Sequence, residues 1–192
     1  QAFGLGVQAQ PQAAGVAGFE EPLALDDHRV DLSAGLVAGG TSYFTTTGSP
    51  TVRFSTATVK PRLGFSATTV LPDPITIPVG DSLRTYGTFT PPSLTNNGLL
   101  ILEATGTTTT ALTTAPGSTI RLRGTAATGS VNHTITNSFT NTGTLELTSI
   151  DGGYSAQLSM PAATLTNDAS GTIALLVGTG GTRTLAVQLD NQ

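Results

Sequence analysis

Cysteine and tryptophan are absent from this sequence, and charge and aromatic side chains are scarce. The lack of cysteine excludes disulfides and thiolate metal sites. Charged residues fill 10% of the 192 positions, well below the roughly 25% of an ordinary soluble domain. The net charge is −4, and the few Lys and Arg residues are scattered. No basic stripe is present to collect phosphates, so nucleic acid is not an expected partner. No apolar run approaches the roughly 18 residues of a membrane helix, so no membrane span is expected. Nor does the start carry the basic and apolar regions of a signal peptide. Gln1-Ala2-Phe3 reads as a processed or cut terminus.

What the chain has instead is threonine, glycine and asparagine, with no threonine before Thr41. Thr is β-branched and favours strands, so the length reads as one large all-β domain or two small ones. A Cys-free, Thr-rich, charge-poor composition also suits an exported protein.

One phrase recurs. It reads Leu94-Thr95-Asn96-Asn97-Gly98-Leu99-Leu100, then Phe139-Thr140-Asn141-Thr142-Gly143-Thr144-Leu145, then Leu165-Thr166-Asn167-Asp168-Ala169-Ser170-Gly171-Thr172-Ile173. A looser copy runs from Leu112 to Leu122, and Leu189-Asp190-Asn191-Gln192 begins another that the end of the sequence interrupts. That interruption reads as a piece of a longer chain or an end completed by another molecule. Self-similarity at a short spacing is the signature of stacked repeats. In each copy an apolar residue points inward, Asn and Gly make a corner, and the next run returns alternate residues to the core. The expected corners are Asn96, Gly98, Asn141, Gly143, Asn167 and Gly171, chosen because Asn and Gly accept left-handed backbone angles. With copies stacked one strand spacing apart, Asn96, Asn141 and Asn167 would form a side-chain ladder.

Residues 1–40 are Gly- and Ala-rich and read as an extended arm, able to add a strand to a neighbouring copy. The acidic cluster from Glu20 to Asp27 reads as a solvated loop. Residues 41–74 alternate as short strands and read as a cap, and residues 75–192 as a β-solenoid body. The phrase resembles the repeats of bacterial cell-surface and secreted parallel β-helix proteins of the filamentous-haemagglutinin and autotransporter-passenger type, over residues 75–192 only. That resemblance implies a rigid stalk or adhesive surface, and in a minority of such proteins a polysaccharide-cleaving enzyme. The expected fold is therefore all-β, a parallel β-helix with an N-terminal arm and cap. Short strands at this spacing leave a β-sandwich or jelly roll as the alternative.

Five chemical readings compete with bland ones. Gly80-Asp81-Ser82-Leu83 spells the nucleophile block of GDSL-type esterases, but the residues after Ser82 read as strand and His133 has no Asp three positions before it. A turn between two strands is expected there instead. His28 beside Asp26 and Asp27 is too sparse a set for a metal. His133 reads as outward-facing within Asn132-His133-Thr134, an N-glycosylation sequon. The repeat acids Glu103 and Glu146 read as surface charges that keep a sheet soluble, not as a catalytic pair. Threonine rows can order water as an ice-binding face does, but Thr107 to Thr110 form a run, not a spaced row.

The functional expectation is a structural or adhesive component of an extracellular or cell-surface assembly, associating with identical copies or other surface proteins by strand addition at its edges. The alternative is a carbohydrate-binding or polysaccharide-cleaving β-helix. No catalytic residue, cofactor or metal is expected.

Overall fold

In the computed structural model residues 74–192 are described throughout, and before them only the backbone of six short strands. Those six are β1 (Ala24–Asp26), β2 (Arg29–Asp31), β3 (Phe44–Thr47), β4 (Thr51–Arg53), β5 (Leu63–Phe65) and β6 (Thr69–Val70). Then come β7 (Ile75–Ile77), β8 (Ser82–Thr85), β9 (Phe89–Thr90), β10 (Ser93–Asn96), β11 (Leu99–Leu102), β12 (Gly106–Thr108) and β13 (Ala111–Thr114). The last seven are β14 (Thr119–Gly124), β15 (Val131–Ile135), β16 (Phe139–Asn141), β17 (Thr144–Ser149), β18 (Ala156–Asn167), β19 (Thr172–Leu175) and β20 (Arg183–Asn191). The protein is all-β, with no helix among the described residues.

Every ladder between these strands is parallel. An eight-stranded sheet runs β1-β3-β5-β8-β11-β14-β17-β19, and a nine-stranded sheet runs β16-β18-β15-β12-β9-β6-β4-β2 with β20 on the far side of β18. A three-stranded sheet runs β13-β10-β7. Neighbours in a sheet are thus separated in sequence by strands of the other sheets. A sandwich or jelly roll needs antiparallel ladders; among the described residues the sole antiparallel contact is the bridge Thr125–Gly129.

Alternation along each strand sets which side chains go inside. In β14 the odd-numbered residues Thr119, Arg121 and Arg123 are half-exposed while Ile120, Leu122 and Gly124 are buried. Parallel in-register pairing then stacks like on like from one pass to the next. Leu83, Leu100, Ile120, Leu145 and Ile173 form one apolar column, and Phe139, Leu165 and Leu189 form another. Leu83, Leu100, Ile120, Leu145, Phe139 and Leu165 belong to one contiguous core, with Ile173 packed against it.

Before residue 41 the reading of arm and solvated loop meets two strands. β1 and β2 take in Asp26 and Arg29 and pair with β3 and β4 in the two large sheets. Asp27 and His28, of the set read as too sparse for a metal, lie outside the described residues, as do the remaining residues of 1–40.

Candidate functional site

The phrase residues are the natural place to start. Asn96, Asn141 and Asn167 are not corner residues in a left-handed conformation; they end strands β10, β16 and β18 with their side chains buried. Ala104 is the lone non-glycine residue with positive φ among the described residues. Asn141 Nδ2 donates to Asn167 Oδ1 at 2.8 Å, and Asn167 Nδ2 donates to Asn191 Oδ1 at 2.9 Å. The amide ladder therefore runs Asn141–Asn167–Asn191. Asn96 lies in a different sheet, where its rung partner is Thr114, and its Nδ2 donates to Thr119 O at 2.9 Å. Thr114 belongs to the looser copy of the phrase, and it breaks the ladder: its hydroxyl donates to Thr140 O at 3.0 Å and accepts from the Thr142 N–H at 2.9 Å. Asn141 Oδ1, the face of the ladder turned toward this break, is buried without a hydrogen-bond donor.

Gly98, Gly143 and Gly171 follow these asparagines for a reason other than backbone angle, since none has positive φ. A Cβ on Gly98 would overlap Pro78 O and Asp81 O, one on Gly143 would overlap Ser118 O, and one on Gly171 would overlap Asn141 O. Each glycine lets one pass of the chain lie directly on the next. At the third corner Ser170 donates its N–H and its hydroxyl to Asp168 Oδ1 at 2.9 and 2.8 Å, holding that exposed carboxyl below its ordinary range.

His133 corrects the sequence reading. It was expected to face outward; its side chain is fully buried between Gly106 and Leu158, its register neighbours on β12 and β18. Residues alternate along β15, so it is Asn132, the sequon asparagine, that is exposed. The imidazole Nε2 meets Thr108 Oγ1 at 2.8 Å, and Nδ1 has no partner. Burial pushes the imidazole pKa down from 6.5 to about 4, so it stays neutral.

The repeat acids also differ from expectation. Glu103 is fully buried and accepts from Arg84 Nη2 at 2.6 Å and from Arg123 Nε at 2.5 Å. Glu146 accepts two parallel bonds from Arg121, Nε to Oε1 at 2.8 Å and Nη2 to Oε2 at 3.0 Å. These residues project outward from the eight-stranded sheet, and among them lies Ile101, 8% exposed yet outside the core cluster. Arginine stems next to it in register, Arg84 and Arg121, supply apolar cover. Both acids are thus occupied by arginine, an arrangement that holds neighbouring passes together and offers no free carboxylate pair. Sequence alone could not have paired them, because the register that puts Arg121 beside Glu146 depends on the length of the intervening loop.

At Gly80-Asp81-Ser82 the chain makes a turn, with Gly80 at φ 82° and Ser82 opening β8. Among the described residues no three His, Asp or Glu side chains are placed to share a metal, and no helix is long and apolar enough to cross a membrane.

Outside, hydroxyls stack as the apolar residues do within. Thr76, Thr95 and Thr113 are successive rungs, as are Thr140 and Thr166, whose next rung is Asp190. Thr119, Thr144 and Thr172 make a second column. The run Thr107–Thr110 is no row: Thr107 and Thr109 face out while Thr108 and Thr110 are buried. A spaced row was legible all along in the phrase, where each Thr follows the leading apolar residue.

β19 and β20 have no further strand beyond them among the described residues. Ile173, Leu185 and Val187 are only partly buried, and Leu175 and Leu189 are 51% and 45% exposed. Arg183, in register with the buried Ala156, folds its guanidinium into the adjoining loop. It donates to Ser149 Oγ and Val177 O at 2.7 Å and to Leu176 O and Gly180 O at 2.8 Å. Arg183 thereby ties the loop after β19 to Ser149 at the end of β17.

Comparisons with protein-family models, with curated proteins and with solved structures return no match for this chain.

Proposed function

We propose that the chain is a wound parallel β-helix acting as a structural or adhesive component of an extracellular or cell-surface assembly, joined to its neighbours by strand addition at exposed edges. The observation that carries this reading is the stacking of successive passes in parallel register, with apolar columns within and hydroxyl columns without. Two further features support it. Glu103 and Glu146 are tied to arginines, which disfavours the polysaccharide-cleaving alternative; and the Cys-free, Thr-rich, charge-poor composition fits secretion.

Small-angle scattering with analytical ultracentrifugation tests it. An elongated particle that associates as concentration rises is expected. A compact monomer at high concentration that releases reducing sugar from a polysaccharide would overturn it.

A further inference from the structure

Asn97-Gly98 is the sole Asn-Gly pair in the sequence. In the other copies of the phrase Pro116, Thr142 or Ser170 precedes the glycine, and none of those side chains carries an amide. The pair makes the corner between β10 and β11. Asn97 is half-exposed, and its side-chain amide is bonded to no described residue. Such a pair is chemically labile, because glycine has no Cβ to shield its nitrogen from the neighbouring asparagine side chain.

Here the backbone around that nitrogen is held on every side. The Asn97 N–H donates to Ile77 O at 2.9 Å, the Leu99 N–H donates to Asp81 O at 3.0 Å, and Gly98 O accepts from the Thr119 N–H at 2.8 Å. The Gly98 N–H itself donates to Asn96 Oδ1 at 3.2 Å. Asn96 is fully buried and anchored in turn by its Nδ2 on Thr119 O at 2.9 Å. Of Asn96, Asn141 and Asn167, only Asn96 turns its Oδ1 to the glycine that follows: Asn167 Oδ1 accepts from Asn141, and Asn141 Oδ1 accepts nothing. Gly98 also lies so close to the preceding pass that a Cβ would overlap Pro78 O and Asp81 O.

We propose that Asn97 is a fold-gated deamidation site, closed by Asn96 and opened only when the β10–β11 corner comes apart. In the open corner the Gly98 amide gives its proton to hydroxide, and its nitrogen bonds to Asn97 Cγ. The Cγ–Nδ2 bond breaks, and Nδ2 leaves as ammonia after taking a proton from water. Water then opens the resulting succinimide ring. Opening at Cγ gives aspartate; opening at the backbone carbonyl gives isoaspartate, in which the main chain runs through Cβ and Cγ. One water is consumed and one ammonia released, without oxidation or reduction. Isoaspartate lengthens the backbone by one carbon beside a glycine with no room for a Cβ, so a converted corner does not close again in register. The site thus marks, irreversibly, chains that have opened there, whatever role the chain has in an assembly.

The test incubates the full chain in mildly alkaline buffer, native and in urea. Peptide mass spectrometry follows conversion at position 97, and enzymatic methylation reports isoaspartate. Conversion in urea should outpace the native chain by about tenfold or more, since only the open population reacts. Asn96→Ala, with the chain still folded by circular dichroism, should speed native conversion about fivefold, the worth of one hydrogen bond. Asn167→Ala, which weakens the fold away from this corner, should leave the native rate unchanged. The reactive species is the deprotonated amide through which amide protons also exchange, so the Gly98 N–H should exchange slowly in the wild type, a readout that needs no variant. Chains carrying isoaspartate at position 97, separated by chromatography, should have a lower urea midpoint than chains carrying aspartate there. Native conversion as fast as in urea, an unprotected Gly98 N–H, no acceleration by Asn96→Ala, or equal acceleration by Asn167→Ala would each overturn the proposal. An isoaspartate chain with an unchanged midpoint would overturn it as well.

Discussion

Acid should destabilise this protein through His133 before the bulk of its carboxylates titrate. The imidazole is fully buried, with Nε2 on Thr108 and Nδ1 unpartnered, and desolvation lowers its pKa from 6.5 to about 4. In the unfolded chain the ring takes a proton near its ordinary pKa; in the folded chain it resists until about pH 4. Between those values the unfolded state binds more protons, so stability rises with pH across the window and is lost on acidification from about 6.5 downward. At about 1.36 kcal/mol per unit of pKa difference, the full window amounts to on the order of 3 kcal/mol, a large share of a typical net stability. Below about pH 4 both states are protonated and the contribution stops growing. The assay is urea unfolding from pH 7.5 to pH 4, comparing the wild type with His133→Leu. Leucine matches the apolar neighbour Leu158 and cannot titrate, so the difference between the two curves isolates the imidazole from the carboxylates. The variant's advantage should widen steadily as pH falls from about 6.5 to 4.5. A difference that stays flat across that range would show that His133 is reached by water or protonated in the fold, and would refute the reasoning.

Glu103→Ala should cost about 2 to 4 kcal/mol, read as a lowered urea midpoint, because two arginine heads lose a buried carboxylate they share; Glu103→Gln, which keeps shape and acceptor, should fall between. Gly106→Ala should cost about 2 kcal/mol or more, since its Cβ would overlap the backbone of Gly87, whereas Gly117→Ala, with open space around it and φ 81°, should cost about 1 to 2 kcal/mol by calorimetry. Asn167→Ala should lower Tm by cutting the middle rung of the amide ladder, at about 2 to 3 kcal/mol; Asn96→Ala, outside that ladder, should cost less.

Much of this protein can be read from the order of its residues. Alternating apolar positions in phrases such as Phe139 to Leu147 announce strands with one wet and one dry face, because a strand's side chains change sides at every residue. The recurrence of the apolar-Thr-Asn phrase announces stacked strands, and it sets Asn141 and Asn167 on successive rungs. Three things depended on tertiary structure. The direction of pairing is one, since alternation is the same in parallel and antiparallel strands. A second is which charges meet: Glu103 reaches Arg84 and Arg123, and Glu146 reaches Arg121, only because loops of unequal length bring those rungs into register. The third is the side on which a lone polar residue falls. His133 looks at home among exposed threonines, yet it occupies an odd-numbered inward position between Val131 and Ile135, and the parity of the strand, not the polarity of the ring, sent it into the core.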